Sequence, residues 1–172
     1  RLFSLHQHNE RARSRQIIDS LLRGENIALV SDAGTPLISD PGYLLVRDCL
    51  ARGLPVLTVP GASAVTAALA VCGLPTDRFA FEGFLPSRLS ARRRMLQDLA
   101  QEPRTLVFFE SPRRLKATLA DMVWVLGGVR RVSVLRELTK RFEETVLATL
   151  GEMVERFEND DDPVRGELVI IV

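Results

Sequence analysis

Residues 27–43 read IALVSDAGTPLISDPGY. The stretch opens on an uninterrupted apolar run, Ile27 to Val30, of the kind buried on both faces of a parallel sheet. It then breaks into Ser31-Asp32-Ala33-Gly34-Thr35-Pro36, followed by a second acid-proline-glycine unit, Asp40-Pro41-Gly42. A plain strand-to-helix connection needs only a few residues. The longer run of small, rigid or acidic residues here points to something bound at the strand end.

Outward from this stretch, strands and helices alternate. RLFSL (1–5) reads as a short strand, and Asn9 as the cap of a helix running to about Arg23. Ile17, Ile18, Leu21 and Leu22 share one face of that helix, and Gly24 stops it. Pro41 takes a first-turn position, and YLLVRDCLA carries the next helix toward Gly53. PVLTV (55–59) reads as the following strand, and Pro60-Gly61 leads into a small-residue helix over 63–71. Such alternation predicts an α/β fold with an open, mostly parallel sheet.

GLPTDR (73–78) breaks the pattern and places a domain boundary near Arg78, giving domains 1–78 and 79–172. Strands are expected at 79–85, 105–110, 131–138, 145–150 and 167–172. Helices are expected at about 87–101, 112–127 and 151–157. The close succession of strands predicts a mixed sheet in this second α/β domain. Trp124 lies at helical spacing among Leu119, Val123 and Leu126 and reads as core. ENDDD (158–162) reads as a solvated loop.

Hydrophobic residues make up 46% of the 172, enough for a core, and the net charge of +1 selects no partner. The distribution is more telling. Residues 79–141 hold 13 Lys/Arg against 6 Asp/Glu, and residues 142–172 hold 2 against 9, so the basic block is able to face an anion. Arg88, Arg92, Arg93, Arg94, Arg113 and Arg114 are its candidate phosphate contacts, set against the plainer reading of solvated helix faces. Cys49 and Cys72 have no second ligand at metal spacing and read as buried thiols of a cytoplasmic protein. No metal site is expected, and His6 and His8 read as surface or capping residues. No apolar run is long enough to span a membrane. The chain opens at Arg1 on a strand pattern and stops inside the apolar run GELVIIV, which reads as a piece of something longer.

Three expected strand ends are built alike, from small, proline and acidic residues. They are Ser31-Asp32-Ala33-Gly34-Thr35-Pro36, Pro60-Gly61-Ala62-Ser63, and Glu110-Ser111-Pro112. In open α/β sheets, ligands bind beyond the carboxyl ends of the strands. Small residues there let backbone groups approach a ligand, and a carboxylate takes ribose hydroxyls or an ammonium. One Asp-Ala-Gly turn is an ordinary turn, and one PGAS stretch an ordinary helix entry. Two on strands of one sheet bring the site reading level with that plainer one. Dinucleotide, P-loop and Gly-x-Ser-x-Gly hydrolase patterns do not occur.

SDAGTPLISDPG, VPGASAVTAAL, GLPTDRFAFEGFLP, FFES, RELTK (136–140) and Gly166-Glu167 occur in this order. Together they closely resemble the ribosomal RNA small-subunit methyltransferase I group of the tetrapyrrole methylase superfamily, over nearly the whole chain. The resemblance implies an S-adenosylmethionine-dependent 2′-O-methyltransferase acting on a cytidine ribose in 16S ribosomal RNA of the small ribosomal subunit. It also implies two α/β domains with the cofactor in the cleft between them, and a homodimer. The implied cofactor positions are Asp32, Ala33, Gly34, Thr35, Pro36 and Leu37, then Pro60, Gly61, Ala62 and Ser63, and Gly166 with Glu167. The family pattern begins with a strand and a Thr-Pro-Ile-Gly-Asn loop that would precede Arg1. On that account the 172-residue chain is expected to self-associate and to bind the cofactor weakly.

Methyl transfer from a sulfonium is an in-line displacement, and alignment of the reacting atoms lowers the barrier by up to roughly 7–11 kcal/mol. The ribose hydroxyl loses its proton on the way, and Glu110, Glu137 and Lys140 are the available acceptors. Two other readings stand beside this one: a tetrapyrrole C-methyltransferase on the same fold, and a non-catalytic RNA-binding module. RELTK and the basic block favour RNA over a tetrapyrrole.

Overall fold

The computed structural model describes residues 2–159 and 163–172. The ENDDD segment therefore falls partly outside the described residues; Glu158 ends a helix and Asn159 caps it. The chain forms two compact units, one up to Ser63 and one from Ala64.

The first unit is built on two helices, α1 (Glu10–Leu22) and α2 (Tyr43–Ala51). Ile17 and Ile18 of α1 pack with Leu45 and Cys49 of α2, and Leu5, Leu21, Ile27 and Leu54 flank them. Ile17, Ile18 and Leu21 lie on the face read from the sequence, but Leu22, read on the same face, is 61% exposed. Asn9 does stand at the head of α1, yet its side chain turns backward: Oδ1 accepts from His6 N–H, and Nδ2 donates to the Ser4 carbonyl.

The three strands expected in this unit, at 1–5, 27–31 and 55–59, carry no strand pairing among the described residues. Nor is the run 27–31 buried on both faces: Ile27 and Leu29 are half-buried, whereas Val30 is 81% exposed. A strand is defined by its partner's hydrogen bonds, and apolar patterning alone does not supply a partner.

The second unit holds a five-stranded mixed sheet, as the sequence predicts. Its strands are β1 (Phe79–Phe84), β2 (Thr105–Glu110), β3 (Arg131–Arg136), β4 (Glu144–Thr149) and β5 (Leu168–Ile171), in the order β1-β2-β5-β3-β4. β1 and β2 are parallel; every other pairing is antiparallel. Side chains alternate across the sheet. Leu106 and Phe108 of β2, with Leu168 and Ile170 of β5, face one layer. Val107 of β2, with Val169 and Ile171 of β5, faces the other.

The second unit's helices are α3 (Ala64–Val71), α4 (Leu89–Asp98), α5 (Leu115–Leu126) and α6 (Leu150–Glu158). The first layer contains α4, α5 and α6. α6 starts on a capping box between Thr149 and Glu152. The second layer is α3, whose Val65, Ala68 and Leu69, with Cys72 just beyond, cover the opposite sheet face. The unit thus begins earlier in the chain than the boundary read near Arg78, because α3 packs on β5. Both cysteines are free and buried.

Trp124 is not core: it is 58% exposed. Leu115, Thr118, Leu119 and Met122 form the buried stripe of α5. Trp124 follows Met122 by two residues, about 200° around the helix, and so points away from the sheet.

Candidate functional site

In the first unit, the loops 32–37 and 60–63 are stitched together. The Ala62 carbonyl accepts from Thr35 N–H at 2.9 Å and from Thr35 Oγ1 at 3.1 Å. Ser31 Oγ donates to the Gly34 carbonyl at 2.7 Å and lies 3.1 Å from the Ala33 carbonyl, curling the chain into its turn. Gly34 has φ +69°, and a β-carbon there would meet the Ala62 oxygen at 3.1 Å. The turn therefore needs glycine for both conformation and space. Asp32, Ala33 and Gly34 are exposed, as are Pro60, Gly61 and Ala62, so small residues leave this seam open.

Strain gathers beside it. Leu37 and Ser39 have φ of 74° and 64°, unusual for residues with a β-carbon. The loop is anchored by a residue that no motif picked out. Glu10 Oε1 accepts from Gly42 N–H and Leu44 N–H, each at 2.9 Å, and so neutralises the amide end of α2.

In the second unit, Glu110 ends β2 with its carboxylate buried, 3% exposed. It accepts from Ser111 N–H at 2.7 Å and Thr118 Oγ1 at 2.6 Å, and pairs with Arg114. Arg114 also reaches the Leu85 carbonyl at 3.0 Å. These bonds tie β2, the turn Pro112–Arg114 and α5 together.

RELTK and Gly166-Glu167 interlock. Glu137 N–H donates to the Glu167 carbonyl at 2.9 Å, extending the β3–β5 pairing by one rung. Glu137 Oε1 accepts from Glu167 N–H at 2.8 Å and from Lys140 Nζ at 2.9 Å. Lys140 Nζ also reaches Glu167 Oε2 at 2.9 Å. Glu137 and Thr139 have φ of 51° and 66°, so the turn is strained. The Glu167 amide, and then Lys140, hold the Glu137 carboxyl below the usual range. Glu167, and then Glu137, hold the Lys140 ammonium above its usual value. The first shift makes the Glu137 carboxylate a weaker base, and the second keeps a proton on Lys140, so neither is favoured as a proton acceptor.

The six arginines separate into two kinds. Arg92 is 5% exposed and spans α4 to α5, its Nε 2.7 Å from Asp121 Oδ2. Arg93 Nε reaches Asp121 Oδ1 at 2.6 Å. Arg114 belongs to the Glu110 cluster. Arg88, Arg94 and Arg113 are exposed. Asp121 is the acid that the motifs missed; its signal was its place on the buried stripe of α5, where a carboxylate requires a partner. No cluster of metal-ligating side chains occurs among the described residues.

A model of the tetrapyrrole (corrin/porphyrin) methylases matches residues 2–154. The chain belongs to this family. Among curated relatives, it is 52% identical over 99% of its length to Ribosomal RNA small subunit methyltransferase I of Xylella fastidiosa strain Temecula1, covering 63% of that protein. It spans about three-fifths of the length of the curated relatives it matches. The resemblance read from the motifs is thus met over nearly the whole of this chain. Of solved structures, diphthine synthase is similar at TM-score 0.73 and 12% identity, over 100% of this chain and 68% of that one. Uroporphyrin-III C-methyl transferase from Thermus thermophilus, complexed with S-adenyl homocysteine, is similar at TM-score 0.59 and 21% identity, over 94% of this chain and 73% of that one. At such identities the likeness is one of fold, and it is the tetrapyrrole methylase fold.

Proposed function

We propose that the protein is an S-adenosylmethionine-dependent methyltransferase that modifies the ribose 2′-hydroxyl of a cytidine in 16S ribosomal RNA of the small ribosomal subunit. The observation that carries this reading is the 52% identity, over 99% of the chain, to a protein named Ribosomal RNA small subunit methyltransferase I. The geometry supports it at the seam between loops 32–37 and 60–63. The seam offers backbone N–H and C=O groups, the Asp32 carboxylate and a glycine whose β-carbon would crowd it, a donor set that fits an adenosyl ligand with an amino-acid tail. The cofactor, when bound, supplies a methyl group on a sulfonium that departs as a neutral thioether.

The chain's own residues bind and orient. Asp32 is assigned to ribose hydroxyls or the ammonium of the ligand, and the backbone of 33–35 and 60–63 to its remaining polar groups. Glu110, with its carboxylate fully engaged, is assigned a positioning role in holding the end of β2. Glu137, Lys140, Gly166 and Glu167 are likewise assigned to fixing the loop after β3. Exposed Arg88, Arg94 and Arg113 take phosphates; Arg92 and Arg114 set the backbone on which they stand.

Exposed Val30, Leu57 and Val59, at 81%, 88% and 85%, support self-association as a homodimer, which light scattering reads directly. No helix among the described residues is long and apolar enough to cross a membrane. The proposed substrate places the protein in the cytoplasm. The deciding experiment offers labelled S-adenosylmethionine with small ribosomal subunits in parallel with uroporphyrinogen. Label on a cytidine ribose of 16S RNA supports the proposal; label on the tetrapyrrole alone, or on neither, refutes it.

A further inference from the structure

Trp124 is the chain's single tryptophan, and its ring stands outside the core. It is not loose. The Arg93 guanidinium lies over the ring, 4.4 Å from its centroid. Arg93 is in turn held by Asp121 at 2.6 Å, and Asp121 by the buried Arg92 at 2.7 Å. A chain of three charged groups thus fixes a cation against an exposed indole. Ala117 and Ala120 are exposed on α5 at positions seven and four before Trp124, which puts them on its helix face. Exposed Arg113 lies in the turn Pro112–Arg114 that leads into α5. Exposed Arg94 follows Arg93 on α4. Asp121 is shared by Arg92 and Arg93, so that group keeps a net positive charge.

We propose that this face of α4 and α5 binds single-stranded RNA, with a base stacked on Trp124 and the adjoining phosphates on Arg94 and Arg113. The inference rests on the RNA-modifying reading above and names where the RNA lies. An exposed apolar ring alone would suit many partners. A ring pre-ordered by a guanidinium and flanked by cations suits a polyanion with flat faces, which a single strand is and a neutral protein surface is not. Duplex RNA hides its base faces and would use only the arginines.

The test uses a single-stranded fragment of the 16S decoding region and a duplex of equal length. Binding of the single strand should quench the fluorescence of Trp124, and the duplex should not. Trp124→Ala should weaken single-strand binding by roughly tenfold with its salt dependence unchanged, because a stacked base releases no counterions. Trp124→Phe should recover most of the loss. Arg94→Glu should weaken binding and flatten the salt dependence. Affinity for S-adenosylmethionine should be the same in all three variants. Single-strand binding that neither quenches the tryptophan nor responds to Trp124→Ala overturns this inference and leaves the methyltransferase reading standing. A loss in Trp124→Ala confined to assembled subunits, with naked RNA bound normally, assigns the face to a ribosomal protein and also overturns it. Absence of RNA binding together with absence of methyl transfer to subunits overturns both.

Discussion

Gly166 lies so close to Glu137 that a β-carbon at 166 would overlap the Glu137 carboxyl group. Its φ of +89° is itself one that side chains rarely adopt. Gly166→Ala therefore meets strain twice, once in its own backbone and once against the side chain that bridges to Lys140. The expected loss is about 1–3 kcal/mol of stability, read by urea denaturation. The Glu137 amide hydrogen, bonded to the Glu167 carbonyl, should exchange faster in the variant. A variant as stable as the parent would show that the loop after β3 tolerates displacement.

The charges of that loop set a pH window. A carboxyl held low contributes stability above the unfolded glutamate value of about 4.3, and loses it as pH falls through its folded value. An ammonium held high contributes below the unfolded lysine value of about 10.4, and loses it as pH rises through its folded value. Glu137 is shifted in the first sense and Lys140 in the second. Lys140→Met should thus lower the melting temperature at neutral pH, and the gap should narrow both in acid and in strong alkali. Lys140 is 45% exposed, so the effect should be small and should shrink in high salt. A gap unchanged between acid and neutral pH would mean that Lys140 acts through its methylene stem alone.

The second unit was legible because its strands pair within one sheet whose two faces are both covered. Continuous apolar runs such as Leu106–Val107–Phe108 and helix stops such as Gly127 then carry most of the information. The first unit was legible only in its helices. Ile27–Ser31 and Pro55–Val59 have strand composition, but pairing is a property of two segments, and sequence patterning names only one. The site divided along the same line. Ser31, Gly34 and Pro60-Gly61 were readable as turn chemistry, and the contact between their loops was not, since Thr35 meets Ala62 across 27 residues. The run Arg92-Arg93-Arg94 looked uniform in sequence. Successive residues sit about 100° apart on a helix, so one was buried, one half-buried and one exposed.

Asp121 is 2% exposed and shared by two arginines. Asp121→Ala would leave Arg92 buried without a counter-charge, which typically costs about 3–5 kcal/mol. Arg93, only partly buried, is free to swing to solvent, and its stacking on Trp124 should be lost. Chemical denaturation should show the large loss. Tryptophan fluorescence should change even under conditions where the variant is folded. Restoring stability with Arg92→Leu in the same chain would establish that the unpaired cation, and not lost packing, was responsible.

The loop seam yields the sharpest separation between cofactor binding and folding. Gly34→Val places a branched side chain at φ +69° and drives its β-carbon toward the Ala62 carbonyl. That carbonyl already accepts from Thr35 N–H and Oγ1, so the two loops must part or twist. Thr35→Val, by contrast, removes only the Oγ1 bond and keeps the volume. Gly34 and Thr35 lie outside the α1–α2 core, whose buried residues are Ile17, Ile18, Leu45 and Cys49. Unfolding should therefore change modestly in both variants. Calorimetry with S-adenosylhomocysteine on the complete protein should show affinity reduced by roughly a hundredfold in Gly34→Val, since both a lost donor geometry and an obstructing side chain act there. Thr35→Val should lose roughly three- to tenfold, the worth of one hydrogen bond. Equal affinity in Gly34→Val and the parent would remove the cofactor from this seam, whatever the fate of the fold.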